Sequence, residues 1–132
     1  MFKVHAEVKL SHTDAAGLLF FAEHFKFAHS AYETFMKSID CSLGRIIRDS
    51  DFLLHIVHAE ADYKGGLCLG DEFDIFLKSE VGDSSFVLSY SFKDSDGNVS
   101  AEIKTVHVSV NKETKKKIPL SEKLRKGLLT IA

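Results

Sequence analysis

Features typical of membrane, nucleic-acid-binding and metal-binding proteins are missing from this sequence. No apolar run approaches the ~20 residues that a membrane helix needs. Lys and Arg total 17 and Asp and Glu total 19, so the net charge is -2 and gives no overall attraction to nucleic acid. The only cysteines, Cys41 and Cys68, lack metal-ligand spacing. With no visible signal peptide, they predict reduced thiols in a cytosolic protein.

The chain also lacks internal repeats and low-complexity linkers, and its only proline, Pro119, lies close to the end. It has 132 residues, of which 45% are apolar and 11 are phenylalanine. That length is enough to bury one core, so we expect a single globular domain over residues 1–132.

The first forty residues predict a strand followed by a long helix. Apolar and polar residues alternate in "FKVHAEVKL" (2–10), which is typical of a half-buried strand. In residues 21–38 apolar side chains recur at helical spacing and cover more than half of the circumference. Such a helix should be largely enclosed by the rest of the protein. Residues 42–50 predict a short second helix.

From Phe52 onward the period becomes that of strands. Four strands are predicted, over 52–64, 71–80, 84–92 and 100–110, and Gly82-Asp83 and Asp96-Gly97 lie where hairpin turns are needed. A short C-terminal helix capped by Ser121 should follow. Consecutive hairpins form an antiparallel sheet, and the long helix is the one large apolar element that it can cover. We therefore predict an α+β fold in which an antiparallel sheet curls around one central helix.

The stretch "HTDAAGLLFF" (12–21) joins the first strand to the helix. It places one carboxylate, Asp14, before a glycine and four large apolar residues. This stretch resembles the loop of the hotdog-fold thioesterases of the 4-hydroxybenzoyl-CoA thioesterase type, which carry an Asp in a D-x-A-G-like motif at this point. The likeness continues through "AEADYKGGLCLGDEF" and "SSFVLSYSF", and "LLHIVHAEADY" resembles the 1,4-dihydroxy-2-naphthoyl-CoA hydrolase branch. Many relatives have an acid where this chain has His12.

The resemblance implies an acyl-CoA thioesterase that releases free CoA and a carboxylic acid, without a metal or redox cofactor. It implies that Asp14 is the catalytic carboxylate and that the backbone N–H of Phe21 polarises the thioester carbonyl. Hydrolysis needs an attacking group or activated water and a donor for the carbonyl oxygen, and a helix N-terminus offers such donors. Gly17 would permit a tight turn and close approach of the substrate.

Substrate contacts are predicted from the same segment and from two lysines. Phe20 and Phe25 would form an aromatic wall with Phe21 and Tyr32, and His24 lies close enough to contact substrate. The family tends to bind coenzyme A along strand edges between subunits, so Lys64 and Lys93 are candidate phosphate contacts. The family also implies self-association as a dimer or tetramer, with no nucleic acid and no membrane partner.

Several alternatives remain open on the sequence alone. Asp14 could simply cap the helix, as short acids often do. His55 and His58, three apart in a strand, should point to opposite faces and form no metal site. The substrate could be a medium- or long-chain fatty acyl-CoA or an acyl carrier protein thioester, and a non-catalytic acyl-CoA-binding module is a rival of another class. Whether Asp14 acts as nucleophile or as general base also stays open.

Overall fold

The computed structural model describes all residues from Met1 to Ala132. Five strands and three helices make up the fold, together with a 3₁₀ turn at Leu10–His12. The strands are β1 (Phe2–Glu7), β2 (Phe52–Tyr63), β3 (Glu72–Val81), β4 (Ser85–Asp94) and β5 (Val99–Asn111). The helices are α1 (Glu23–Ser38), α2 (Leu43–Asp49) and α3 (Glu122–Leu129). None of these helices is both long and apolar enough to cross a membrane.

All five strands form one antiparallel sheet in the order β1-β3-β4-β5-β2. The two predicted hairpin turns are present, but the predicted run of consecutive hairpins does not extend to β2 and β3. β2 pairs instead with β5, in a register that sets Ala61 opposite Ile103. Segment 64–71 does not fold back as a tight turn, because its backbone bonds to Ser100 and to the loop before α1. The chain therefore crosses the sheet between β2 and β3.

Helix α1 packs on the inner face of the sheet, where alternate strand residues are buried. Its buried side chains are those of His24, Ala28, Ala31, Tyr32, Phe35 and Met36. Aromatic contacts join the layers: the rings of Phe35 and Phe2 lie 5.3 Å apart and those of Phe27 and Phe73 lie 5.1 Å apart, both edge to face. The helix is less enclosed than predicted, because a single sheet covers only one side of it in the isolated chain.

Two element boundaries also differ from the prediction. β1 ends at Glu7 because the chain turns at Lys9, whose N–H donates to His12 Nδ1 at 2.9 Å. Leu10 is consequently 73% exposed instead of continuing the apolar face. Helix α1 begins at Glu23, two residues later than the periodicity indicates. The short helix α2 and the helix capped by Ser121 are confirmed, and Ser121 Oγ accepts the N–H of Leu124.

A β-bulge in β2 corrects the expectation for its two histidines. His55 is opposite Val108 and His58 is opposite Val106, with the register shift between Ile56 and His58. Since Val106 and Val108 are two residues apart, both histidines point to the same face of the sheet. Val57 is the extra residue in the bulge. It therefore puts His55 and His58 on the same face although they are three residues apart in sequence.

The core contains a fully buried histidine, His107, in a short hydrogen-bonded chain. His107 has no exposed surface, and its Nε2 lies 2.7 Å from Thr105 Oγ1, which in turn is 3.0 Å from the Tyr90 hydroxyl. Its Nδ1 has no partner. Burial lowers the pKa of His107 from 6.5 to about 4, and the charge of His29 acts in the same direction. The folded protein therefore holds this side chain neutral.

We predict that acid weakens the fold through His107. Because its pKa is lower in the folded than in the unfolded chain, stability is full above pH 6.5 and falls as the pH drops toward 4. The loss should reach about 3 kcal/mol of unfolding free energy. Urea unfolding between pH 4 and 7 measures it. His107→Gln should flatten the slope, whereas the exposed control His58→Gln should keep it. An unchanged slope in His107→Gln would contradict this assignment.

Candidate functional site

Asp14 lies in a closed loop immediately before α1. The Asp14 N–H donates to the Leu18 carbonyl at 2.8 Å and the Gly17 N–H donates back to the Asp14 carbonyl at 3.1 Å. Gly17 has a φ of +78°, which a residue with a Cβ adopts only at a cost of about 1–2 kcal/mol. The predicted need for a glycine in this turn is thus confirmed. The loop is a small closed hairpin with the carboxylate at its start.

The carboxylate of Asp14 stabilises its own loop and does not cap α1. Its Oδ1 accepts the N–H groups of Ala16 at 2.8 Å and Leu18 at 3.1 Å, and its Oδ2 accepts no hydrogen bond from the protein. The N-cap residue of α1 is Ala22, and no side chain bonds to the helix terminus there. The capping alternative is therefore wrong, and one carboxylate oxygen stays free for chemistry.

Asp14 opens onto a cavity of about 280 Å³, named here the Asp14 cavity. Its walls come from the loop, the start of α1, the end of β2 and the segment that follows β2. Phe20, Phe21 and Tyr63 line it and are 41%, 60% and 46% exposed, so their ring surfaces are available to a ligand. His24 lines it from α1. The arrangement combines one free carboxylate oxygen with a wall that is partly aromatic and partly aliphatic.

Several backbone N–H groups at this end of α1 are unpaired, those of Phe21, Ala22, His24 and Phe25 among them. Those of Phe21 and Ala22 donate to no acceptor in the protein, whereas those of Leu19, Phe20 and Glu23 donate to carbonyls at 2.7–2.9 Å. Unpaired N–H groups at a helix N-terminus attract negative charge. They can stabilise a carbonyl oxygen that becomes an oxyanion.

His24 and Tyr63 both bond to the peptides that carry the N–H groups of Phe21 and Ala22. His24 Nδ1 lies 3.1 Å from the Phe21 carbonyl oxygen and 3.3 Å from that of Phe20. The Tyr63 hydroxyl donates to the Phe21 carbonyl oxygen at 3.0 Å. Burial lowers the pKa of His24, against the raising effect of the two carbonyl bonds. Burial raises the pKa of Tyr63, which keeps its hydroxyl protonated as a donor.

Comparison with known proteins identifies the family of this chain. The sequence matches the thioesterase-like superfamily over residues 8–128. The chain belongs to this superfamily. A 1,4-dihydroxy-2-naphthoyl-CoA hydrolase from Rippkaea orientalis is 36% identical over 124 residues, 92% of this chain and 90% of that protein. The hotdog fold, the family and the thioester hydrolase class predicted from the sequence are confirmed.

Solved thioesterase structures superpose over nearly the whole chain. A 1,4-dihydroxy-2-naphthoyl-CoA thioesterase from Synechocystis is 28% identical, with a TM-score of 0.92 across 97% of this chain and 95% of its own. A gentisyl-coenzyme A thioesterase is 26% identical, with a TM-score of 0.84 across 96% of this chain and 99% of its own.

In this thioesterase not every predicted substrate contact reaches the Asp14 cavity. Phe25 instead lines a second cavity of about 550 Å³ between α1 and β2, named here the Phe25 cavity, together with His29 and Ile56. It points there because it is one residue beyond His24, a rotation of about 100° along a helix. Tyr32 is 3% exposed and belongs to the core, so it forms no wall of a pocket.

The two predicted lysines are on the outer face of the sheet. Lys93 lies 5.0 Å over the ring of Phe76, which points away from α1. It leaves β4 on the opposite side to the buried Phe92 and so cannot reach the Asp14 cavity. Lys64 pairs with Glu102 at 3.2 Å on the same outer face. It directly precedes Gly65, however, which lines the Asp14 cavity.

His12 has a structural role in this thioesterase. Its Nδ1 accepts the N–H of Lys9, and its ring packs edge to face on Phe27 with centroids 4.7 Å apart. Its carbonyl oxygen also accepts the Phe20 N–H at 2.9 Å. These contacts hold the segment before Asp14 in place without bringing an acid to the site.

Sequence reasoning missed the wall contributed by Tyr63, Gly65, Gly66 and Leu67. The Gly-Gly pair directly after a strand was the available signal, because a Cβ on Gly66 would lie 3.2 Å from a Leu18 methyl. Leu67 joins the two loops, since its carbonyl accepts the Leu19 N–H at 2.7 Å. This contact depends on how the two loops pair in the folded chain, which the sequence does not show.

Proposed function

We propose that this protein hydrolyses an aryl-CoA thioester, such as 1,4-dihydroxy-2-naphthoyl-CoA, to free CoA and the aromatic acid. The observation that carries the proposal is the Asp14 cavity, which places a free carboxylate oxygen, aromatic rings and the start of α1 around one space. The relatives from Rippkaea orientalis and Synechocystis are named for this acyl group. We further propose that residues 1–132 form one hotdog domain and that the enzyme works in the cytoplasm.

In the proposed reaction the thioester carbonyl oxygen accepts the N–H of Phe21, with the N–H of Ala22 as a second donor beside it. This interaction strengthens as negative charge develops on the oxygen. Asp14 Oδ2 then attacks the carbonyl carbon directly or takes a proton from the attacking water. The carbon–sulfur bond breaks, and the CoA thiolate leaves and takes up a proton. If water attacks, the aromatic acid forms in this step; if Asp14 attacks, the acyl group is left as an anhydride of Asp14, which water then cleaves to the free acid and the carboxylate. Gly17 keeps the loop turn that fixes Asp14.

Two features support an aromatic acyl group over a long chain. At about 280 Å³ the Asp14 cavity is slightly smaller than the ~300 to ~1,000 Å³ of most ligand pockets. Phe20 and Tyr63 offer exposed ring surface, and His24 closes the space against Phe92, 5.6 Å away and stacked. Flat rings gain from offset and edge-to-face contacts with such walls. We keep Phe20 and His24 as proposed acyl contacts.

For the coenzyme A phosphates we propose Lys64. Its pair with Glu102 is about half exposed on both sides, and exposed pairs contribute only ~0–1 kcal/mol. A phosphate can therefore replace the carboxylate at little cost. Lys93 and Phe25, outside the Asp14 cavity, would contact only parts of the substrate that extend beyond it.

We also propose that the enzyme is a homo-oligomer formed through β2. This strand is at the sheet edge, is twelve residues long and exposes Ile56, Val57 and Tyr63 to 43%, 61% and 46%. A long exposed edge offers unpaired backbone groups to another strand. Because Tyr63 also lines the Asp14 cavity, such a contact would place the site at a subunit boundary.

Asp14→Asn should lower turnover by on the order of 10² or more, as expected for a lost base or nucleophile. The Asn side-chain oxygen can still accept the N–H groups of Ala16 and Leu18, so thermal stability should change by about 1 kcal/mol or less. Asp94→Asn is the matched control, because Asp94 Oδ1 accepts two turn N–H groups at 3.0 and 2.9 Å in the β4–β5 hairpin. Free-thiol release measures turnover. Normal turnover in Asp14→Asn would refute the catalytic role.

Aryl-CoA thioesters should have the highest kcat/KM in a panel that runs from acetyl-CoA to long acyl-CoA, benzoyl-CoA and naphthoyl-CoA. Two or three aromatic contacts at roughly 0.5–1.5 kcal/mol each give about a tenfold to hundredfold preference. Activity that climbs steadily with linear chain length, with aryl thioesters near background, would show a fatty acyl-CoA thioesterase instead.

Light scattering should show a homo-oligomer, and Val57→Lys should shift it toward monomer by placing a charge on the edge strand. Val57 is 61% exposed, so the fold itself should tolerate the change. Leu129→Lys, a similarly exposed residue on α3 at 54%, is the matched control and should leave the assembly intact. A fully active monomer at low wild-type concentration would contradict the proposed assembly.

A further inference from the structure

The two peptides before α1 are held by hydrogen bonds at their carbonyl ends. The peptide between Phe20 and Phe21 accepts from the Glu23 N–H at 2.9 Å and from His24 Nδ1 at 3.3 Å. The next peptide accepts from His24 Nδ1 at 3.1 Å and from the Tyr63 hydroxyl at 3.0 Å. The N–H ends of these same peptides are those of Phe21 and Ala22, which donate to no acceptor in the protein.

The hydrogen-bond partners determine the tautomer of His24. A carbonyl oxygen only accepts, so Nδ1 must carry the proton that it shares between two carbonyls. Burial lowers the pKa of this histidine, so near neutral pH the ring carries no second proton on Nε2. The orientation is set by packing, because the ring stacks on Phe92 at 5.6 Å and meets the Tyr63 ring edge to face at 4.8 Å. His24 is thus a fixed neutral donor.

A peptide that accepts hydrogen bonds at its carbonyl is polarised and becomes a stronger donor at its N–H. It is also fixed in orientation, because the six atoms of the unit lie in one plane. Tyr63 is 42 residues from Phe21 in sequence and is largely exposed, yet its hydroxyl reaches the helix terminus. No other side chain bonds to these two carbonyls.

We propose that His24 and Tyr63 are positioning residues, which orient and polarise the peptides whose N–H groups receive the thioester oxygen. The inference rests on the proposed function and gives His24 a role beyond contact with the acyl group. It also assigns a role to Tyr63. Both side chains act through the backbone, so they matter most when charge develops on the oxygen in the transition state.

The test compares side chains that keep or lose each donor. Tyr63→Phe keeps the ring and loses the hydroxyl, and His24→Leu loses the ring donor, whereas His24→Asn retains an N–H near the place of Nδ1. We expect about a tenfold fall in kcat for Tyr63→Phe and His24→Leu, with little change in KM for Tyr63→Phe, which keeps its ring, and recovery of most of kcat in His24→Asn. A purely structural role predicts no such separation of kcat from KM and no rescue by Asn.

Tyr90→Phe is the matched control, since it removes a hydroxyl that bonds to Thr105 inside the sheet. It should lower thermal stability and leave kcat unchanged. If Tyr63→Phe does not fold, the comparison of His24→Leu with His24→Asn decides the question. Wild-type kcat in folded Tyr63→Phe and His24→Leu would overturn the inference, even where Asp14→Asn is inactive and the proposed function stands. Full turnover in Asp14→Asn would instead reject the proposed function itself.

Discussion

The contact on which the site depends is the short antiparallel pairing between the loop before α1 and the segment after β2. The Leu19 N–H donates to the Leu67 carbonyl at 2.7 Å, and the Leu69 N–H donates to the Gly17 carbonyl at 2.9 Å. A bridge between Leu18 and Cys68 lies between them. This pairing satisfies backbone groups that would otherwise need water. It brings Asp14 and Tyr63, from distant parts of the chain, to one cavity.

The same pairing explains the topology of the sheet. A segment that bonds to the Asp14 loop cannot also fold back as a hairpin, so β2 pairs with β5 and the chain crosses to β3 on the other side. β2 then becomes an edge strand whose last residue, Tyr63, reaches the start of α1. The position of the site and the presence of an exposed edge therefore have one cause.

Local pattern was sufficient to predict much of this molecule. Alternation in β4, turn residues such as Gly97 with its φ of +82°, and the Ser121 cap are decided by neighbours in sequence. The Asp14 loop was also visible, because a closed turn with a glycine is a local structure. Its assignment as a catalytic loop came from the family resemblance.

The missed features depend on contacts between distant segments or on register. The partner of β2 is chosen by tertiary bonds of segment 64–71, and the bulge at Val57 changes the side to which His58 points. In the sequence Tyr63 looks like any aromatic residue of a β-strand. Only the folded chain brings its hydroxyl to the Phe21 carbonyl. The sequence also does not say which face of the sheet borders the Asp14 cavity, so it could not show that Lys93 lies on the opposite face.

The most direct test of the account is the structure of Asp14→Asn bound to a hydrolysis-resistant analogue of an aryl-CoA thioester, with the sulfur replaced by methylene. The account predicts the analogue's carbonyl oxygen about 2.7–3.1 Å from the Phe21 nitrogen, with the aryl group against Phe20 and the substituted side chain at position 14 facing the carbonyl carbon. A carbonyl oxygen bound elsewhere, such as in the Phe25 cavity, would contradict it.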